Sequence, residues 1–102
     1  MAGPTNRQIA VAHVNREDIV LERLEVLAEA AIAEGFEDFA AGAYIEEYSD
    51  GGATIIYEVV IGAGHLRRSA GFTAEFFANE GDRAPQEVRR IVGGAAESMR
   101  SR

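Results

Sequence analysis

The residues that could do acid–base or nucleophilic chemistry are few. The only histidines are His13 and His65, and candidate nucleophiles are serines such as Ser49, Ser69 and Ser98. A serine nucleophile needs a histidine within hydrogen-bonding reach, and nothing in this spacing indicates such an arrangement. Two histidines without a third well-placed ligand do not define a metal site either. We therefore predict no catalytic residue, no metal site and no enzymatic activity.

One glycine pattern could hold a nucleotide. Gly62-Ala63-Gly64 follows a predicted strand and supplies two of the three glycines of a dinucleotide fingerprint. Arg67 stands where the third glycine belongs, and the residues after it alternate as a strand, whereas the fingerprint opens a helix. The chain also lacks lysine and cysteine, which excludes a Schiff base, a phosphate-loop lysine and thiolate ligands. We predict no bound cofactor.

Acidic residues form a row on the best specified helix. They are spaced by four, three and four residues, so their carboxylates stack along one side, which we call the acidic ridge: Asp18, Glu22, Glu25 and Glu29. The ridge is either a solvated face or a docking surface for a basic partner. A convex helix with no opposing ligand cannot enclose a metal ion.

Positive charge is carried by ten arginines and is unevenly distributed. Residues 1–82 hold five arginines against fifteen acidic residues, whereas residues 83–102 hold five against two. This acidic body and basic tail indicate charged partners or association between copies. With a net charge of −7, the chain lacks the cationic surface that binds nucleic acid, which we therefore exclude. The candidate docking arginines of the tail are Arg89, Arg90 and Arg100.

The pattern predicts a first helix over 16–34. Asn15 is a good N-cap, and Asp18 completes an imperfect capping box. Gly35 is a left-handed stop after the helix, and Phe36 can fold back on Ala31. Helical periodicity assigns a core face to Val20, Leu21, Leu24, Leu27, Ala28, Ala31 and Ile32, and a thin second stripe to Val26, Ala30 and Ala33.

Strands are predicted over 8–13, 44–49, 53–61 and 66–76, followed by a helix with Pro85 in its first turn. Asp50-Gly51-Gly52 is the predicted turn of a hairpin between the second and third of these strands. The order β-α-β-β-β-α predicts an α+β two-layer sandwich, in which a three- to four-stranded antiparallel meander carries two helices on one face. Residues 1–7 are predicted to be a flexible lead and residues 8–102 a single domain. No segment has the length of a membrane span.

The register of the last hairpin assigns side chains to the two faces of the sheet. Pairing Ile61 with Leu66, and Tyr57 with Ala70, collects apolar residues against the helices. The outer face then carries apolar and charged side chains, and it is either plain solvated sheet or a partner surface. Its candidate docking residues are Ile56, Val60 and Arg67, with Ile45 beside them.

The hexapeptide Gly64-His65-Leu66-Arg67-Arg68-Ser69 is similar to a short segment of the tail-completion proteins of long-tailed phages. In that family the segment follows the main helix and precedes the β-strands, whereas here a predicted hairpin comes first. The resemblance implies a virion or tail-assembly component as an alternative function, and it transfers no functional residue.

The absence of chemistry and the divided charge together predict a non-enzymatic interaction or assembly protein. It would be a small subunit of a larger particle, or an inhibitor or immunity-type protein that docks a basic partner, in the cytoplasm or in an intracellularly assembled particle. A homo-oligomer is the other form of partner. A small-molecule-binding module is an alternative, because the sheet under a helix could hold an apolar ligand among Tyr44, Tyr57, Phe72 and Phe76.

Overall fold

Four strands form one sheet, and three helices pack on one face of it. The structure, a computed structural model, describes residues 8–11 and 17–100. The elements are β1 (Gln8–Val11), α1 (Glu17–Ala33), β2 (Asp38–Glu47), β3 (Ala53–Ala63), β4 (Leu66–Thr73), α2 (Ala74–Glu80), a 3-10 turn (Gly81–Arg83) and α3 (Ala84–Arg100). The predicted lead, Asn15 and His13 lie outside the described residues, and the assignment of 8–102 to one domain stays a prediction.

The sheet has the strand order β1-β2-β3-β4. Strands β2, β3 and β4 form the predicted antiparallel meander, and the α+β class is confirmed. Strand β1 pairs with β2 in parallel orientation. Helix α1 connects the two strands and returns the chain to the end of the sheet where β1 began. The core lies between this sheet and α1, α2 and α3.

The turn between β3 and β4 is tighter than predicted. Only Gly64 and His65 connect the strands, with Gly64 at φ +64°, so Ala63 pairs with Leu66 and Tyr57 with Phe72. The predicted register, with Ile61 opposite Leu66, is wrong by two residues. Because side chains alternate with a period of two, this shift leaves the residues of β3 and β4 on their predicted faces.

Helix α1 ends as predicted, but its buried face is rotated from the predicted one. Gly35 has φ +88°, and the Phe36 amide donates to the Ala31 carbonyl at 3.1 Å, which completes the stop signal. Leu21 and Ile32, predicted to lie in the core, are 42% and 46% exposed. From the predicted second stripe, Ala30 is buried and Val26 is half-buried instead. These residues are covered because α1 packs beside α3 as well as on the sheet.

Helix α2 replaces the end of the predicted last strand. Thr73 ends β4 and caps the helix, since its hydroxyl accepts from the Phe76 amide at 3.0 Å, and Gly81 follows the helix at φ +54°. Phe77 therefore enters the core and contacts the ring of Tyr57 at 5.1 Å between centroids. Phe76, predicted to alternate inward from the strand, is only half-buried.

Helix α3 runs without interruption through Gly93 and Gly94. Its buried side chains continue the core, and Pro85 lies in its first turn as predicted. A Cβ atom at Gly93 would lie 3.1 Å from a carboxylate oxygen of Glu34. This glycine therefore lets α3 lie close to the end of α1.

Candidate functional site

The most exposed part of the structured chain is the end of the β2–β3 hairpin, residues 44–55, which we call the hairpin arm. Strand β1 pairs with β2 only as far as Ala43, and β4 pairs with β3 only from Ile56 onward. Residues 44–55 therefore extend beyond both neighbouring strands of the described sheet. All ten residues from Tyr44 to Ala53 are exposed.

The hairpin arm combines apolar side chains with negative charge. The large hydrophobic residues exposed in the described ranges number five, and Tyr44, Ile45 and Tyr48 are three of them. The acidic residues of the arm are Glu46, Glu47 and Asp50, and its sequence contains no lysine, arginine or histidine. Tyr44 and Ile45 are successive strand residues, so they lie on opposite faces of the arm.

The turn of the arm fixes the backbone that carries Tyr48. The Tyr48 amide donates to the Gly52 carbonyl at 2.7 Å, and the Gly51 amide donates to the Tyr48 carbonyl at 3.1 Å. The Asp50 carboxylate accepts from the Gly52 amide at 2.9 Å. Gly51 has φ +95°, a conformation that glycine adopts without strain. The exposed tyrosine is thus held on an ordered turn.

Helix α2 braces the base of the arm. The Thr54 hydroxyl donates to the Glu75 carboxylate at 2.8 Å, and Thr54 is buried although it lies within the arm. This hydrogen bond, with a smaller contribution from the helix backbone, lowers the pKa of Glu75 below its ordinary value of 4.5. Because the folded-state pKa is the lower one, the brace contributes stability above that ordinary value and loses it as the pH falls through the lowered pKa.

Tyr44 continues the arm onto the outer face of the sheet, and its position corrects two predictions. Tyr44 pairs with Ile56, on the face away from the core, so it cannot line a ligand site with Tyr57 and Phe72. Ile45, predicted on the outer face, pairs with the core-facing Ile55 and lies on the helix side. Partial desolvation of the phenol by its neighbours, and then the carboxylates of Glu58 and Glu46, raise the pKa of Tyr44.

The predicted outer-face residues Ile56 and Val60 are half-buried beside Tyr44 and Ser69 rather than freely exposed. Tyr57, Phe72 and Phe77 contact one another in the core, as a small domain with many alanines requires. Tyr57 and Phe72 are therefore core residues, and the small-molecule-binding alternative stays a prediction.

Arg67 lies at the other end of the outer face, in a row that crosses three strands. Asp38 pairs with Gly62, and Gly62 pairs with Arg67. Glycine leaves the middle of the row open, and the guanidinium crosses it to form a 3.0 Å ion pair with Asp38. It also donates to the carbonyls of Gly64 and Leu66. The glycine pattern that resembled a nucleotide motif thus accommodates a cross-strand arginine and a two-residue turn.

We expect Gly62→Ala to lower the free energy of unfolding by about 1 kcal/mol, because the new Cβ atom displaces Arg67 from its exposed ion pair and carbonyl contacts. Gly71→Ala in β4 is the matched control, since its Cβ atom would meet Ile56 at an ordinary 3.8 Å and should change little. Urea denaturation of both variants measures the difference. Equal stabilities would contradict the proposed role of Gly62.

The candidate arginines of the tail are dispersed. Arg100 donates to the Glu34 carboxylate at 3.1 Å and to the Glu34 carbonyl at 2.7 Å, within one chain. Arg90 binds Glu87 on its own helix, and this hydrogen bond raises the pKa of Arg90. Arg89 is exposed. The structure therefore does not bring these arginines together with Arg67 in one patch.

The acidic ridge lies on the solvent side of α1, opposite the buried Leu24 and Leu27. All four of its carboxylate residues are exposed, and within the described ranges no arginine forms an ion pair with them. Arg100 of the tail forms its ion pair with Glu34, which is not a residue of the ridge.

The described residues contain no group of three histidine or acidic side chains that could hold a metal ion. His65 is exposed in the two-residue turn after β3. Among the helices of residues 17–100, none is both long enough and apolar enough to cross a membrane. No protein-family model matches the chain, and a search of curated proteins gives no significant match.

Proposed function

We propose that this chain is a non-enzymatic interaction or assembly protein that docks a basic partner through its hairpin arm. The observation that carries the proposal is the coincidence, on one projecting hairpin, of exposed Tyr44, Ile45 and Tyr48 with an exclusively acidic charge. Tyrosine is enriched among residues that dominate binding energy, because it buries a large area at small entropic cost.

The arrangement favours a partner that encloses the arm. Tyr44 and Ile45 lie on opposite faces, so a partner contacting one face would leave an apolar side chain in water. A cleft with basic edges would bury both side chains and pair with Glu46 and Glu47. Charge of opposite sign would also speed association and select among partners.

Acidic residues on open strands have a second use, because they discourage pairing with other sheets. That purpose alone would be served by polar side chains throughout the arm. Three large apolar residues on a hairpin that no other described strand pairs with at either edge increase the risk of aggregation. We therefore attribute them to binding.

The acidic ridge would extend the negative surface available to the same partner, or would receive the arginines of a neighbouring copy. A ridge-to-arginine contact between copies is heterologous, so it could close into a ring or continue as a filament. The cytoplasm, or a particle assembled in the cell, is the location that this proposal implies. A tail-assembly role is one form of this proposal. The hexapeptide that resembles tail-completion proteins, residues 64–69, lies in the β3–β4 turn and the first residues of β4.

The test compares affinity capture from the source organism by the parent chain and by an arm variant, Tyr44→Ser, Ile45→Thr and Tyr48→Ser. We expect a basic protein that the parent retains and the arm variant retains at least tenfold less, a loss of about 1.4 kcal/mol or more. Ile32→Ser is the control, because Ile32 is equally exposed but lies on α1.

Sedimentation over a range of concentrations separates a different partner from a second copy. An oligomer that dissociates on dilution, and that is lost when Glu22, Glu25 and Glu29 are changed to arginine, would support assembly through the ridge. A parent that stays monomeric at every concentration would exclude self-assembly. Equal retention of every captured protein by the parent and the folded arm variant would refute docking through the arm.

A further inference from the structure

Arg23 is the one arginine in residues 17–100 whose side chain is not exposed. It donates to the Tyr57 hydroxyl at 3.0 Å, and its guanidinium carbon lies 5.4 and 5.2 Å from the ring centroids of Tyr57 and Phe77. These contacts hold the cation without neutralising it. No carboxylate in that part of the chain forms an ion pair with Arg23, although partly buried charges are normally paired.

Arg23 lines a cavity of about 330 Å³ between α1, α2 and the start of α3, which we call the Arg23 cavity. Its volume is at the lower end of the range that holds small ligands. Glu22 on α1 and Asp82 in the 3-10 turn, both exposed acidic residues, also line it. The remaining lining is mostly apolar: Val26, Phe77, Ala84 and Pro85, with Gly81.

We propose that the Arg23 cavity binds a free α-amino acid with a small apolar side chain. A guanidinium has five donors, and Tyr57 accepts from one of its nitrogens, so a ligand carboxylate can take a forked hydrogen bond from the others. The ligand ammonium then pairs with Glu22 and Asp82. A simple anion has no ammonium group, so these two carboxylates would repel it. The side chain packs on Val26 and Phe77.

The charge pattern distinguishes this ligand from its two halves. A carboxylate alone meets two acidic side chains as well as Arg23, and an amine alone meets the guanidinium. A zwitterion satisfies both signs at once. This site shares Glu22 with the acidic ridge but no residue with the hairpin arm, so docking through the arm and ligand binding in the cavity can fail separately.

The experiment is an NMR titration of the full chain with L-valine, with acetate and methylammonium as the half-ligand probes. We expect saturable shifts of the Val26 and Phe77 resonances with L-valine in the millimolar range, and at least tenfold weaker binding of either half. Arg23→Met should weaken L-valine binding by about 10- to 100-fold, since it removes charge-assisted hydrogen bonds.

Arg23→Met also removes contacts with two rings, so a second variant keeps the test independent of folding. Glu22→Gln with Asp82→Asn changes only exposed side chains, and it should weaken L-valine binding severalfold while acetate binding stays equal or strengthens. Arg68→Met, an exposed arginine outside the cavity, should leave the titration unchanged. Unsaturable shifts with L-valine, acetate binding as tight as that of L-valine, or no effect of the Glu22 and Asp82 changes would overturn the proposal.

Discussion

Leu24→Ala should lower the free energy of unfolding by about 2–5 kcal/mol, a large share of the roughly 5–15 kcal/mol typical of a domain. Leu24 is 0% exposed and packs in the core between α1 and the sheet. Truncation removes its buried methyl groups and leaves a cavity that the surrounding side chains only partly fill.

Leu21→Ala is the matched control, because it is the same change one turn earlier on the same helix. Leu21 is 42% exposed, so we expect a loss below about 1 kcal/mol. Urea denaturation of both variants measures the two losses. Similar losses would indicate that both leucines lie in the core, as the sequence predicts. That result would contradict the exposure of Leu21.

Phe77→Ala should cost about 3–5 kcal/mol and should exceed the cost of Phe76→Ala. Phe77 is 7% exposed and contacts the rings of Tyr57, Phe72 and Phe76. Phe76 is only half-buried.

The pair of phenylalanine variants distinguishes a helix from a strand at this point of the chain. A strand continued from β4 would alternate with a period of two, so Phe76 would be the buried ring and Phe77 the exposed one. Thermal unfolding of the two single variants gives the order of the losses. A greater loss for Phe76→Ala would contradict α2.

Local signals predicted the parts of the fold that depend on local backbone chemistry. Gly35 after a helical pattern predicted the end of α1, and Asp50-Gly51-Gly52 predicted the turn of the β2–β3 hairpin. In both places a positive φ and short-range hydrogen bonds decide the structure. Such requirements can be identified in the sequence because they involve only neighbouring residues.

Other parts depended on tertiary packing or on signals that compete. The first half of β2 contains Ala40, Ala41, Gly42 and Ala43, whose small side chains give no clear alternation, so the strand was predicted to begin at Tyr44 instead of Asp38. Alternation was also extended from β4 through Phe76. Thr73 as a cap and Gly81 as a stop were the available signals for α2.

The candidate site was less predictable than the fold. Ridge residues such as Glu22 are exposed as expected, since a polar stripe opposite Leu24 must face solvent. The prominence of Tyr48 depends on where β1 and β4 stop pairing, and the burial of Arg23 depends on Phe77 from a distant helix. Long-range pairing and packing of this kind leave no periodic trace in one sequence.

The hydrogen bonds from Arg100 to Glu34 hold the end of α3 at the end of α1. This end of the molecule and the hairpin arm can therefore be used separately. Arg100 and Asp38, the first residue of β2, line one cavity, whereas the hairpin arm extends from the last residues of that strand. Asp38 and Glu47, the first and last residues of β2, are nine residues apart, a distance of about 30 Å at roughly 3.3 Å per residue. A fluorophore or surface tether attached after Arg100 would therefore leave the arm facing the solution.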